Sequence, residues 1–368
     1  MTNHQKDLDF ERDDLMAIKS LEINSKRIHI MKPVTGADYS AKTVLTNSSW
    51  EYVELWLRRQ SGERANHALF YWIQAKNFFL ASECLPIESR PLTAYYCCMN
   101  AAKALLAING PTTINFNNIS HGITADRRMW TNNNIKSSEV IFLGSGVLYE
   151  LSKYFDEQAV KETVSVYDLL YNIPCIHRAF SITYNCTELF IPVRNVEFIV
   201  DTEQRKGWIQ FQVDARYANG NSLKNVPSRY EKVKYDADNR YLLRSKKRFA
   251  WDIHDPNKTD RLNGLSNFHK VVRKDLHYIY GDTRLWYIKK DIPTNGHILN
   301  RNSITLIFAV MHWLSELVRY NPEKFEKMMK TKQNWLVHEF IDNALYHYID
   351  EISCEITKVD IMSSGYRK

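Results

Sequence analysis

From Ser49 onward the apolar positions of this chain recur every three or four residues. Trp50, Val53 and Leu57 mark one face, and Leu69, Trp72, Ile73, Lys76, Phe79 and Leu80 mark the next, the lysine lending its apolar stem. Both stretches predict amphipathic helices. The run TAYYCCMNAAKALLAINGP, residues 93–111, continues the period: Leu92, Tyr95, Tyr96, Met99, Lys103 and Leu106 form a broad face. Ala94, Ala101, Ala102, Ala104 and Ala107 allow a neighbour to approach it closely. Pro91 suits a first helical turn, and Asn109-Gly110-Pro111 reads as a stop through a left-handed residue and a missing donor. After a polar loop, a helix starts at Gly146-Val147-Leu148, and residues 166–180, broken at Pro174, supply one or two more.

Near Glu188 the period changes to two. Val196, Phe198 and Val200, then Ile209, Phe211 and Val213, are the apolar positions of two strands, and TEQRKG between them suits a hairpin turn. Strand-like content continues in YLLRSKKRFAWDI and RLWYIKKDI. Helices return with SITLIFAVMHWLSELVRY, a short one opened by Asn321-Pro322, and QNWLVHEFIDNALYHYIDEISCEI. The order α, β, α predicts an α+β protein: an N-terminal arm (1–45), a helical bundle (46–187), an antiparallel β-rich basic unit (188–300) and a C-terminal helical region (301–368) packing against the first bundle.

With 44% apolar and 25% charged residues over 368 positions, the chain can bury sizeable cores, which excludes a disordered protein. The start MTNHQKDLDFERDDL lacks the apolar centre of a signal peptide, and the run from Ile304 to Val318 is shorter than the ~20 residues of a membrane span. Six cysteines without a CxxC pair fit reduced structural thiols. A cytoplasmic protein with no membrane partner is the expectation. Positive charge concentrates in one place: residues 221–290 hold 17 Lys or Arg against 8 Asp or Glu, a local +9 within a chain of net +7. Within that segment Arg244, Lys246, Lys247 and Arg248 precede Trp251, and Arg284, Lys289 and Lys290 flank Trp286 and Tyr287. Cations that release counterions, interleaved with rings that could stack on bases, make these eight residues (the seven cations and Trp251) candidate contacts for RNA or single-stranded DNA. The competing reading is a solvated sheet face with its aromatics in the core.

The runs NHALFYWIQAKNFFLASECLP, RPLTAYYCCMNAAKALLA, ISHGI, GVLYELSKYF, SVYDLLYNIPCIHRAF and LIFAVMHWLSELVRYNPEKF, taken in order, resemble the YaaC-like family of bacterial proteins. The Tyr-Tyr pair opening an Ala-rich helix, with His-Gly after the next loop, is also similar to HEPN helical domains. That resemblance implies a HEPN-like N-terminal bundle. The wider HEPN group includes metal-independent ribonucleases, toxins and non-catalytic nucleotide or RNA binders, many in prokaryotic defence systems. Its nucleases pair an Arg and a His with four to six residues between them, a cation for the pentacoordinate phosphate and an acceptor for the 2′-hydroxyl proton. His121 has no Arg in that window, because PTTINFNNIS contains none.

The literal spacing occurs in Arg248 and His254, but about two such matches arise by chance in a chain of this composition. The catalytic candidates are thus His121, Arg248 and His254, and Tyr95 and Tyr96 are candidates for a nucleotide pocket. For His121 the competing role is to fix a turn through backbone carbonyls. Gly144-Ser145-Gly146 at a helix start could hold an anion or simply turn the chain. No phosphate loop, dinucleotide fingerprint, zinc-protease or hydrolase motif is present, and no metal site or cofactor is expected. The reading places the chain first as a non-catalytic nucleic-acid- or partner-binding component of a bacterial defence or stress system. The alternatives are a HEPN-type endoribonuclease with an atypical site and a nucleotide-sensing or scaffold subunit, with a protein partner or homo-oligomer expected.

Overall fold

The computed structural model describes residues 18–126, 134–214, 217, 220–235, 240–252, 258–281, 285–292 and 296–364. The chain divides into two units. One comprises 1–42, 190–278 and 285–292, and the other 43–189, 279–284 and 293–368. The protein is α+β, with a large antiparallel sheet in the first unit and most of its helices in the second.

In the sheet unit, strands Phe190–Asp201 and Lys206–Asp214 form the expected hairpin, with Phe198 opposite Ile209 and Val193 opposite Val213. The strand order is Tyr230–Tyr235, Arg240–Ser245, Lys206–Asp214, Phe190–Asp201, Leu285–Lys289, Leu276–Ile279. Ile18–Ser20, from the N-terminal arm, pairs with Phe190–Asp201. Alternation puts Val196, Phe198, Val200, Ile209, Phe211 and Val213 on one face, where Leu265, Phe268 and Val272 of helix Lys258–Val272 join their core. That helix was not expected inside the basic segment. Its Leu262, Leu265, Phe268 and Val272 nevertheless keep a helical spacing.

The helical unit is built around Arg90–Asn109, whose Ala94, Ala101, Ala102 and Ala104 are fully buried. Helices Glu63–Glu83, Ser303–Tyr320, Asn334–Thr357 and Val147–Tyr154 all pack on it, so the C-terminal helices share a core with the first ones. Its C-terminus is closed differently from the expectation. Gly110 is extended (φ −80°, ψ −177°), not left-handed, and the guanidinium of Arg64 takes the last carbonyls: Nε donates to Ala107 O at 2.8 Å, Nη2 to Ile108 O at 3.1 Å. A cation there also faces the negative end of the helix dipole. The Ser303–Tyr320 helix starts at Asn302, whose Oδ1 accepts from Ile304 N at 2.9 Å, and is buried from Ser303 through Ser315. A small antiparallel sheet of Ile123–Ala125, Glu139–Phe142 and Glu162–Ser165 completes what positions the site. Among the described residues no helix is long and apolar enough to cross a membrane.

Candidate functional site

Two helices and one turn of the helical unit converge on a cleft of about 290 Å³ lined by Tyr95, Tyr96, His121, His312, Glu316 and Arg319, with Leu92, Ile123, Ser315 and Tyr320 around them. The turn is held by its backbone. Ser120 O accepts from Val147 N (2.9 Å), His121 O from Leu148 N (3.1 Å) and Gly122 O from Leu143 N (2.9 Å). Gly146 (φ +114°) and Gly122 (φ +80°) make this possible, since a Cβ on Gly146 would lie 2.4 Å from Gly122 N. The first two amides of helix Val147–Tyr154 are therefore engaged by these carbonyls, which removes them from the anion-holding role considered for Gly144-Ser145-Gly146.

With the turn fixed by main chain, the His121 ring is left for other work. Its Nδ1 lies 2.5 Å from Tyr95 Oη, and the two rings stack at 5.4 Å and 22°. His312 stands edge-on to both, 4.9 Å from Tyr95 and 5.7 Å from His121, and Phe308 closes the far edge of Tyr95. Burial pushes the Tyr95 hydroxyl well above the usual phenol range, so it keeps its proton. Burial, reinforced by the nearby charge of Lys103 and opposed by Glu316, lowers the His121 pKa below its ordinary 6.5, which leaves a neutral imidazole at pH 7. Glu316 is oriented by a hydrogen bond from Ala125 N at 3.0 Å. Arg319 is exposed at the rim with its guanidinium 5.1 Å from the centre of the Tyr320 ring. The arrangement holds a neutral histidine next to an aromatic wall and an available cation, the equipment for gripping a phosphate and moving a proton beside it.

The structure thus brings three of the sequence candidates, Tyr95, Tyr96 and His121, into one cleft. Tyr95 is a buried wall, while Tyr96 is half-buried and stacks on Phe78 at 5.3 Å. Sequence reasoning missed His312, Glu316, Arg319 and Tyr320. The signal was present: His312, Ser315, Glu316 and Arg319 fall at i, i+3, i+4 and i+7, a polar stripe on an otherwise apolar helix.

The basic segment of the sheet unit is arranged otherwise. Arg244 Nε donates to Glu231 Oε1 at 2.8 Å and Arg248 Nη2 to the same oxygen at 3.4 Å. Both guanidinium groups lie over Trp208, at 5.7 and 4.9 Å. Lys246 and Lys247 are exposed in the adjoining turn. Trp251 is 7% exposed, against Phe249 and under Arg261, so its indole belongs to the core and offers no open face to a base. Lys289 and Lys290 are also buried, at 6% and 7%, which does not suit the surface phosphate contacts expected of them. Arg284 and His254 lie outside the described residues, so the Arg248–His254 spacing has no geometry to report. Among the described residues no group of three or more His, Cys, Asp or Glu could hold a metal ion.

The family described as YaaC-like Protein matches residues 34–356. The chain belongs to the YaaC-like family. No curated protein and no solved structure matches it. The matched span of this YaaC-like chain contains every residue that lines the cleft.

Proposed function

We propose that this YaaC-like protein is a HEPN-related RNA-binding component and that the His121 cleft is where it holds a phosphodiester. One observation carries the reading: a hydrogen-bonded Tyr95–His121 pair, with His312 against it, opens on a cleft whose rim carries Arg319. The guanidinium offers a two-pronged contact to a phosphate, and the half-exposed Tyr320 ring beside it offers a face to a base. Exposed Lys246 and Lys247 of the sheet unit add sequence-independent attraction. The resemblance to HEPN domains supports a place in a bacterial defence or stress system, as a homo-oligomer or with a protein partner.

Fluorescence anisotropy with a labelled single-stranded RNA at low salt tests the reading. Binding is expected, and Arg319→Glu is expected to weaken it at least tenfold. A protein that binds no RNA at low salt, or an Arg319→Glu variant that binds like the parent, overturns it.

A second reading, metal-independent RNA cleavage, is favoured by the neutral state of His121. In the tautomer whose Nδ1–H donates to Tyr95, Nε2 can accept the 2′-hydroxyl proton. O2′ then bonds to phosphorus, the P–O5′ bond breaks, and O5′ takes a proton from water while Nε2 later returns its proton to solvent, leaving a 2′,3′-cyclic phosphate and a 5′-hydroxyl. Arg319, distant in sequence, would supply the cation missing upstream of His121. Cleavage in EDTA with cyclic phosphate ends, abolished in His121→Ala, establishes this reading. RNA that stays intact leaves binding alone.

A further inference from the structure

A second depression, of about 240 Å³, borders the turn that carries His121, and its lining includes Asn115, Asn118, Ser120, Ser145 and Glu150. Ser120 lines this depression and the next residue, His121, lines the cleft, so the two meet at one peptide. They differ in kind. The cleft presents ring faces, with Tyr96 half-buried and Tyr320 46% exposed. The depression presents amides, hydroxyls and a carboxylate, groups that read the edge of a base rather than its face. Asn118, Ser120 and Ser145 are exposed, and Glu150 donates its backbone N–H to Gly146 O (3.0 Å) while its carboxylate accepts from Lys153 Nζ (3.1 Å). Gly146 and Gly122 pack backbone to backbone at this turn, with no room for a Cβ between them.

We infer that the two depressions are adjacent nucleoside subsites of single-stranded RNA, a stacking subsite at Tyr96 and Tyr320 and an edge-reading subsite at Asn118, Ser145 and Glu150, with the linking phosphate beside His121. The inference rests on the reading of the cleft as an RNA site and adds what that reading lacks: a bound length of at least two nucleotides and a base preference. A carboxylate accepts from an exocyclic amino group, which guanine, cytosine and adenine carry and uracil lacks, so the edge-reading subsite favours an amino-bearing base over uracil. A duplex does not fit this division, because its bases are stacked on each other and present no free faces.

The experiment compares UMP with pentanucleotides of each of the four bases by calorimetry and anisotropy, on the parent and on Asn118→Ala/Glu150→Gln. Pentanucleotides are expected to bind at least tenfold more tightly than UMP, with oligo(G), oligo(C) or oligo(A) ahead of oligo(U) by about tenfold. The double variant is expected to lose that preference while its affinity for UMP stays within twofold of the parent. Equal binding of all four pentanucleotides by the parent, or a preference that survives in the variant, overturns the inference and leaves the cleft reading standing. A parent that binds neither UMP nor any pentanucleotide overturns both.

Discussion

The His121 cleft and the Arg244–Arg248 cluster hold similar residue types and use them in opposite ways. In the cleft, groups separated by more than two hundred positions, from Tyr95 to Arg319, come together because helix Arg90–Asn109 and helix Ser303–Tyr320 pack on one another. In the cluster, groups 13 and 17 positions apart pair: two arginines share one oxygen of Glu231, which offsets one of their two charges, and cover Trp208. A local +9 read from sequence is a sum over groups that the fold pairs, buries or exposes separately. A chemically poised group such as His121 leaves no trace in that sum, because its state is set by burial and by Lys103 and Glu316. Charge counts therefore find patches, and packing finds sites.

Gly146→Val is expected to do the most damage to the cleft. A branched side chain at φ +114° would be strained and would drive into the Gly122 backbone, at a cost of several kcal/mol, and the Ser120–Gly122 turn would shift His121 away from Tyr95. A large fall in the melting temperature and loss of RNA binding are expected. Glu231→Gln, the matching change in the cluster, is expected to lower the melting temperature far less, since its ion pairs with Arg244 and Arg248 are only half-buried and such pairs contribute about 1 kcal/mol or less. A Gly146→Val protein as stable as its parent would show that the turn does not position the site.

Acid separates the units next. His269, buried in the sheet unit with Nε2 3.3 Å from Met31 N and 3.2 Å from Met31 O, is pushed down to about 3 by burial and then by Arg273. Its unfolded value is near 6.5, so below that pH the unfolded chain binds a proton that the folded chain refuses. The stability that His269 confers is complete above pH 6.5 and falls as pH drops towards 3, by up to about 1.4 kcal/mol per pH unit. Denaturant unfolding at pH 7, 5.5 and 4, followed by histidine NMR, is expected to show this loss, and a folded His269→Gln protein is expected to lack much of it. An acid dependence unchanged in that variant would place the proton uptake elsewhere.

Smaller effects sharpen the account of the cleft. Tyr95→Phe removes the hydroxyl bonded to Nδ1 and is expected to cost about 1 kcal/mol. Lys103→Met is expected to move the His121 titration, read from its NMR shifts, towards 6.5, because it deletes a lowering charge; Glu316→Gln is expected to move it the other way. A titration that ignores both changes would leave desolvation as the whole cause.

The elements were largely legible. The period of two marked the central hairpin, and the helical period marked Ser49–Arg58 and Arg90–Asn109, because single faces of these elements are buried and the pattern records it. Three features escaped for physical reasons. The Lys258–Val272 helix is rich in polar residues, which masks the apolar stripe it turns to the core. The Gly110 stop depends on Arg64, 46 positions away, and no local rule carries that partner. The cleft was half visible: Tyr95, Tyr96 and His121 lie within 27 residues of one another, whereas His312, Glu316 and Arg319 read as interruptions of an apolar helix until that helix is placed.

The smallest effect expected belongs to Lys246 and Lys247, and it decides whether the basic segment contributes to RNA binding at all. Both are exposed in a turn whose backbone is tied down by the bond from Lys246 N to Arg229 O at 2.8 Å, so charge reversal there should not disturb the fold. If each lysine neutralises one phosphate of a single strand, Lys246→Glu/Lys247→Glu lowers the slope of log K against log salt by roughly 1.4, about 0.7 for each contact. The loss of affinity is then greatest at low salt and shrinks as salt rises, whereas Arg319→Glu weakens binding across the whole range because it removes a directed contact within the cleft. Anisotropy titrations from low to physiological salt are expected to show two different families of lines. Parallel lines for parent and double variant would mean that the two lysines touch no phosphate, and the sheet unit's positive charge would then serve solubility alone.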